Sequence, residues 1–233
     1  MKYKLGTISV QGTYHDLNQD YAMVKQSEKG IVMALSDGLG SLRFSQFGAR
    51  FFCECAIDIV EQMNYQVTDN YEFLKVLHGQ WIDKIRMNEL VISDCYCTAL
   101  LVVITGNRCK AFHLGDGIMC IKADDEFIMS IEEKEDGFAN YTEPLTEIFE
   151  FEQWEIYSID FNNLQGIYLS SDGVELIDST KKVVKQFLNE FIDGYEDMRL
   201  FEIEADIQSW LVDWPSSDDK TIAFLLREEL SDE

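Results

Sequence analysis

Four aspartates stand beside a glycine or a second aspartate where apolar runs begin or end. They are Asp37 in Ser36-Asp37-Gly38, Asp116 in Gly115-Asp116-Gly117, Asp172 in Ser171-Asp172-Gly173, and Asp218 in Ser217-Asp218-Asp219. Carboxylates gathered at strand ends repel one another unless cations lie between them, so the pattern predicts a divalent-metal centre. Other residues of catalytic type fit less well. Cys53 and Cys55, and likewise Cys95 and Cys97, are separated by one residue, which is not the spacing of a zinc site. His113 lies within an apolar run and reads as a strand residue, and His78 falls on a helix without an acid beside it.

The elements that must carry these aspartates can be read from periodicity. Gly30-Ile31-Val32-Met33-Ala34-Leu35 is a buried strand delivering Asp37 to its end, where Gly38 and Gly40 allow a tight bend. Strands are expected at 4–10 and 21–24 before it, and Asp20 stands at the entry to the second. Phe44, Phe47, Phe51, Phe52, Cys55 and Ile59 recur at helical spacing, with Gly48-Ala49 offering a small surface for packing on a sheet. A second helix spans about 70–90, capped by Asp69 or Asn70, with Phe73, Leu77, Trp81 and Ile85 inward. From residue 98 onward a hairpin turns at Gly106-Asn107, and further strands are expected at 117–122, 127–131, 154–159 and 166–171. Two helices follow, the first with Val183, Val184, Phe187, Leu188 and Phe191 on one face, the second with Met198, Phe201, Ala205 and Leu211. A strand at 221–226 closes the chain. Short turns between most strands favour antiparallel pairing. The expected architecture is α+β: a central antiparallel β-sandwich flanked by helix pairs, with residues 1–233 forming one domain.

Composition excludes several classes. With 233 residues and 46% hydrophobic content, a sizeable core is available. A net charge of −24 opposes nucleic-acid binding, because phosphate backbones would be repelled. No apolar run approaches a membrane span and the opening residues lack a signal-peptide core, so a cytoplasmic location without membrane contact is expected. The six cysteines sit mostly within apolar segments, which fits the same compartment. Residues 122–163 are irregular, acidic at Glu132, Glu133 and Glu135, and carry Pro144, which suggests a substrate-facing flap.

Taken in order, His15-Asp16-Leu17-Asn18-Gln19-Asp20, Asp37-Gly38-Leu39-Gly40-Ser41 with Gly48-Ala49, Cys97-Thr98-Ala99, Leu114-Gly115-Asp116, Ser171-Asp172-Gly173 and Asp218-Asp219-Lys220-Thr221 resemble the metal-dependent serine/threonine protein phosphatases of the 2C type, over residues 6–226. The resemblance implies that Asp37 bridges two Mn²⁺ or Mg²⁺ ions and that the Gly38 carbonyl binds one of them. It implies further that Asp172 and Asp218 complete the first site, that Asp20 orders metal-bound waters, and that Asp116 with Asp172 supports a third, weaker site. Two ions ~3.5–4 Å apart can share a water, lower its pKa and direct it at phosphorus. The implied substrate is a phosphorylated protein, and the implied counterpart is a cognate serine/threonine kinase. Two positions depart from the family pattern. His15 stands where an arginine usually grips the phosphate, and Gln19 where a glutamate is common; its amide carbonyl can still hold a metal-bound water. The alternative is a non-catalytic, partner-binding module on the same fold.

Overall fold

The computed structural model describes residues 2–62, 69–124, 126–131, 143–174, 176 and 180–228. Among the described residues, ten strands form two five-stranded sheets. One has the order β1 (Lys2–Val10), β10 (Lys220–Glu228), β9 (Leu164–Ser170), β6 (Ile118–Ala123) and β7 (Glu126–Ile131). The other has the order β2 (Asp20–Ser27), β3 (Gly30–Asp37), β4 (Ala99–Thr105), β5 (Arg108–Leu114) and β8 (Glu155–Asp160). Every pairing is antiparallel.

Side-chain alternation explains the layering. On β3, Ile31, Met33 and Leu35 join Leu100, Val102, Met119, Ile121, Ile167, Leu169 and Leu225 in a core between the two sheets. Val32 and Ala34 point the other way, against helices α1 (Ser45–Gln62) and α2 (Asn70–Met87). Both faces of β3 are therefore buried, which is why its sequence is continuously apolar rather than alternating. The first sheet is covered in the same way by α3 (Lys181–Tyr195) and α4 (Leu200–Val212), whose buried residues meet Tyr168, Ile222 and Phe224. The expected sandwich between helix pairs is what the chain builds.

The Asp69 side chain caps α2 by accepting from the Glu72 N–H, and Phe73, Leu77, Trp81 and Ile85 all face inward. Two expectations need correction. The buried face of α4 is Ile203, Ile207 and Leu211, while Phe201 is 59% exposed under the Arg199 guanidinium and Ala205 is exposed. Both sets recur about every four residues, and the one adjoining the Phe191–Phe224 cluster buries more apolar surface. Gly48 packs not on a sheet but against the chain before β4, where a Cβ would lie 1.7 Å from the Cys95 carbonyl oxygen. Its own carbonyl accepts from the Trp81 indole at 3.0 Å. The expected bend is present, the Leu42 N–H donating to the Leu39 carbonyl at 2.9 Å, but without a positive φ at Gly38 or Gly40, and these glycines also supply space. A Cβ on Gly38 would meet the Ser45 backbone at 2.6 Å, and one on Gly40 would meet His15 Nε2 at 2.7 Å. The acidic residues Glu132, Glu133 and Glu135 lie outside the described residues.

Candidate metal centre and phosphate cleft

Asp37, Asp116 and Asp172 arrive from three separate strand ends and converge at one end of the sandwich. Each offers a carboxylate oxygen within 4.8 Å of the other two. Antiparallel register puts Asp20 directly across from Asp37 on β2 and β3. Asp116 is held between Gly115 and Gly117, whose φ values of +98° and +100° suit glycine alone. A Cβ on the first would press on Thr98 and one on the second on the Ser170 carbonyl oxygen, so the Asp116 turn is wedged between β4 and β9. Around the three acids lies a cleft of about 160 Å³, also lined by His15, Gln19, Gly38, Leu39, Gly40, Thr98 and Asp218.

All six positions expected to hold metal, together with His15, therefore reach one cleft. Asp20 does not line it; it is buried one step behind Asp37. Asp218 lines the wall with Oδ1 accepting the Asp219 N–H at 2.9 Å, and its oxygens fall outside the tight group of three.

The electrostatics of this cluster are unfavourable. Burial, then the charges of Asp20 and Asp172, hold Asp37 well above the usual carboxylate range. Burial raises Asp20 to about 7 against the opposing hydrogen bond from Ser171. Desolvation, then the Asp116 and Asp218 charges, raise Asp172 to about 6. Asp20 Oδ2 accepts the Ser171 hydroxyl at 2.6 Å, yet its Oδ1 is buried with no hydrogen-bond partner among the described residues. Repelling carboxylates and an orphaned oxygen are what a cation would relieve.

Three residues matter here for which the sequence suggested no individual task. Thr98 fixes Asp37 from both sides, its Oγ1 accepting the Asp37 N–H at 2.9 Å and its N–H donating to the Asp37 carbonyl at 2.7 Å. Ser171 supports Asp20. Asp219, buried beside Asp218, accepts from the backbone of residues 12 and 19. The Ser171 hydroxyl flags it only as a polar residue next to an aspartate, Thr98 stands between Cys97 and Ala99 with no aspartate beside it, and Asp219 is masked by its acidic neighbour.

His113 and His78 stand apart from the acids' task. His113 Nδ1 pairs with the Ser130 hydroxyl, and its Nε2 lies 3.1 Å from the Asp116 carbonyl oxygen. His78 Nε2 meets the Thr146 carbonyl oxygen at 2.8 Å. All six cysteines are free and buried, and burial raises their thiols, Cys97 and Cys109 to about 12.

The family model described as protein phosphatase 2C matches residues 13–214, and the chain belongs to that family. A comparison with curated proteins found no sequence match. Among solved structures, a bacterial serine phosphatase superposes with a TM-score of 0.71 at 12% identity, covering 99% of this chain and 100% of that one. The catalytic domain of the serine/threonine phosphatase PstP, in complex with two manganese ions, gives 0.68 at 14%, covering 97% and 99%. The phosphatase Stp1 from Staphylococcus aureus gives 0.68 at 12%, covering 98% and 96%.

Proposed function

We propose that this protein is a metal-dependent phosphoprotein phosphatase acting on phosphoserine and phosphothreonine, with Mn²⁺ or Mg²⁺ as its cations. The observation that carries this reading is the convergence of Asp37, Asp116 and Asp172 within 4.8 Å, backed by the unpartnered oxygen of Asp20. The six positions proposed as ligands offer only oxygens, which suits hard cations and disfavours Zn²⁺. Asp37 would bridge two ions, with the Gly38 carbonyl, Asp172 and Asp218 completing one site. Asp116 with Asp172 would hold a third ion more weakly, and Gln19 would reach the second through its amide oxygen. The two manganese ions of PstP support the choice of metal. When bound, such a pair supplies an acidified water and positive charge to offset that developing on the phosphoryl oxygens.

The chain's own residues position the reactants. Thr98 fixes the height of Asp37 through two backbone hydrogen bonds, so its carboxylate does not swing as charge changes. Asp20 keeps Oδ1 free to accept a hydrogen bond from water brought into the site, while Ser171 holds Oδ2. His15 stands over Gly40, whose missing side chain makes room for the ring, and an imidazole N–H there can donate to a phosphate oxygen. Tyr14, packed edge-on to that ring at 4.6 Å, and Leu17 are 74% and 60% exposed beside the cleft, offering apolar contact to a peptide around the phosphosite. The full set of acids favours turnover over a binding module, which has no need of every ligand.

A reducing, cytoplasmic setting opposite a cognate serine/threonine kinase fits the six unpaired, buried thiols and a chain in which no described helix is long and apolar enough to cross a membrane. The decisive experiment is phosphate release from a phosphothreonine peptide with and without Mn²⁺. Release that requires the metal and stops with a chelator is expected; none under either condition would overturn the reading.

A further inference from the structure

The segment 217–219 is squeezed between two other parts of the site. On one side a Cβ at Gly12 would lie 2.3 Å from the Ser217 carbonyl oxygen and from the Asp218 backbone. On the other a Cβ at Gly173, next to Asp172, would lie 1.8 Å from the Asp219 carbonyl oxygen. Asp218 and Asp219 then divide the work. Asp218 lines the cleft, whereas Asp219, only 3% exposed, turns the other way and spends both carboxylate oxygens on the backbone. Its Oδ1 accepts the Gly12 N–H at 2.8 Å and its Oδ2 accepts the Gln19 N–H at 2.7 Å. These amides are the two ends of the loop that carries His15. The Ser217 carbonyl adds bonds from the Thr13 and Tyr14 N–H groups at 2.8 and 3.0 Å.

We infer that Asp219 is a positioning residue that fixes both ends of the 12–19 loop and thereby sets where His15 stands over the phosphate cleft. The inference rests on the proposed reading of His15 as a phosphate contact. Without the carboxylate, two part-buried N–H donors lose their acceptor, and the loop is left with the Ser217 bonds at one end, the Gln11 Nε2 bond to the His15 carbonyl at 3.1 Å and the Asn18 Nδ2 bond to Ser9 Oγ at 2.8 Å. The Gln19 end is then held through its carbonyl, which accepts the Gly38 N–H at 3.1 Å. Hydrogen bonds to an ionised acceptor are about twice as strong as neutral ones, so a single carboxylate can hold both ends where an amide side chain cannot. Asp219→Asn keeps the shape and one acceptor oxygen but sets an NH₂ group against one of the two donors.

The test combines kinetics on a phosphothreonine peptide with hydrogen exchange at the Gly12 and Gln19 amides and calorimetric Mn²⁺ titration. Asp219→Ala should raise KM by roughly tenfold while moving kcat less, unprotect both amides, and leave the Mn²⁺ stoichiometry unchanged. Asp219→Asn should fall between, with one amide still protected; it serves alone if Asp219→Ala fails to fold. Added to His15→Ala, Asp219→Ala should raise KM no further, because both act through one contact. Protected amides in Asp219→Ala overturn the inference, as does an unchanged KM where His15→Ala raises it. If His15→Ala itself leaves KM unchanged, the His15 reading fails, and exchange at the two amides decides the role of Asp219.

Discussion

Two polar clusters lie on either side of the 113–116 stretch, and they are built on opposite principles. The first is the acid group of Asp20, Asp37, Asp116 and Asp172, where like charges face one another and one buried oxygen lacks a partner. The second runs from buried His113 through Ser130 to Glu155 and ends at Tyr157. In it the Ser130 hydroxyl donates to Glu155 at 2.8 Å, and the Tyr157 hydroxyl donates to the same oxygen at 2.5 Å. In the second cluster each group has a polar neighbour, and it ties β7 of one sheet to β5 and β8 of the other. The first is complete only with cations. Histidine, serine and glutamate in contact are no sign of catalysis when each has a partner, whereas repelling carboxylates held together by rigid strands mark a ligand site.

The largest effect should come from Asp37→Asn. It removes the proposed bridging charge, so calorimetry should show both principal Mn²⁺ binding steps lost and turnover lower by at least roughly a thousandfold. Without metal the same change should stabilise the fold, since it relieves repulsion. Two intact binding steps in Asp37→Asn would break the contrast between the clusters. The metal-free protein should also show an inverted pH response. Asp172 and Asp20 titrate near 6 and 7 in the fold but near 3.8 in the unfolded chain. Between those values the folded state holds more protons, so stability falls as pH rises from about 4 to about 7. A thermal melt in chelator should therefore give a higher Tm at pH 5 than at pH 8. Saturating Mn²⁺ should reverse the order: free metal at 100 times Kd contributes about 2.7 kcal/mol, roughly 5–10 °C for a chain of this size. A Tm that does not respond to Mn²⁺ would contradict the cation site.

The acid cluster was legible in the sequence because each proposed ligand aspartate stands where a recognisable apolar run begins or ends. What could not be read was which way neighbouring residues point. Asp218 and Asp219 precede β10, which starts at Lys220, so strand alternation does not yet apply and the two acids look alike. The α4 face was misread for a related reason. Its N-cap is Arg199, whose N–H takes Glu202 as partner, rather than a serine or aspartate, so no boundary signal fixed the phase of the helix. The bend at Gly40 was legible, but the room that Gly38 and Gly40 leave for Ser45 and His15 was not, since close approach between segments distant in sequence leaves no local mark. Register across β2 and β3, which sets Asp20 against Asp37, is likewise a tertiary fact.

A smaller effect separates the cleft's two recognition elements. His15→Ala should raise KM for a phosphopeptide by roughly tenfold, and His15→Arg should lower it by a similar factor, because guanidinium is always charged and forks onto two phosphate oxygens. Mn²⁺ affinity should be unchanged in both. If KM is the same in all three proteins, phosphate recognition rests on the cations and the loop of residues 12–19 is only a wall.

Tyr157→Phe should have the smallest effect and tests the other half of the comparison. The phenyl ring keeps its place against the core between the sheets, and only the hydroxyl is lost. Glu155 retains Ser130 as a partner, so no buried group is left unpaired. The cost is therefore one hydrogen bond to an acid, about 1 kcal/mol, or roughly 2–4 °C in Tm. Turnover and Mn²⁺ affinity should both stay at the wild-type value, because the change is transmitted to a cluster that needs no ligand. Should either fall several-fold with so small a loss of stability, the His113 chain would be acting on the Asp116 turn through the bond at its carbonyl, and the two clusters would be one device rather than two.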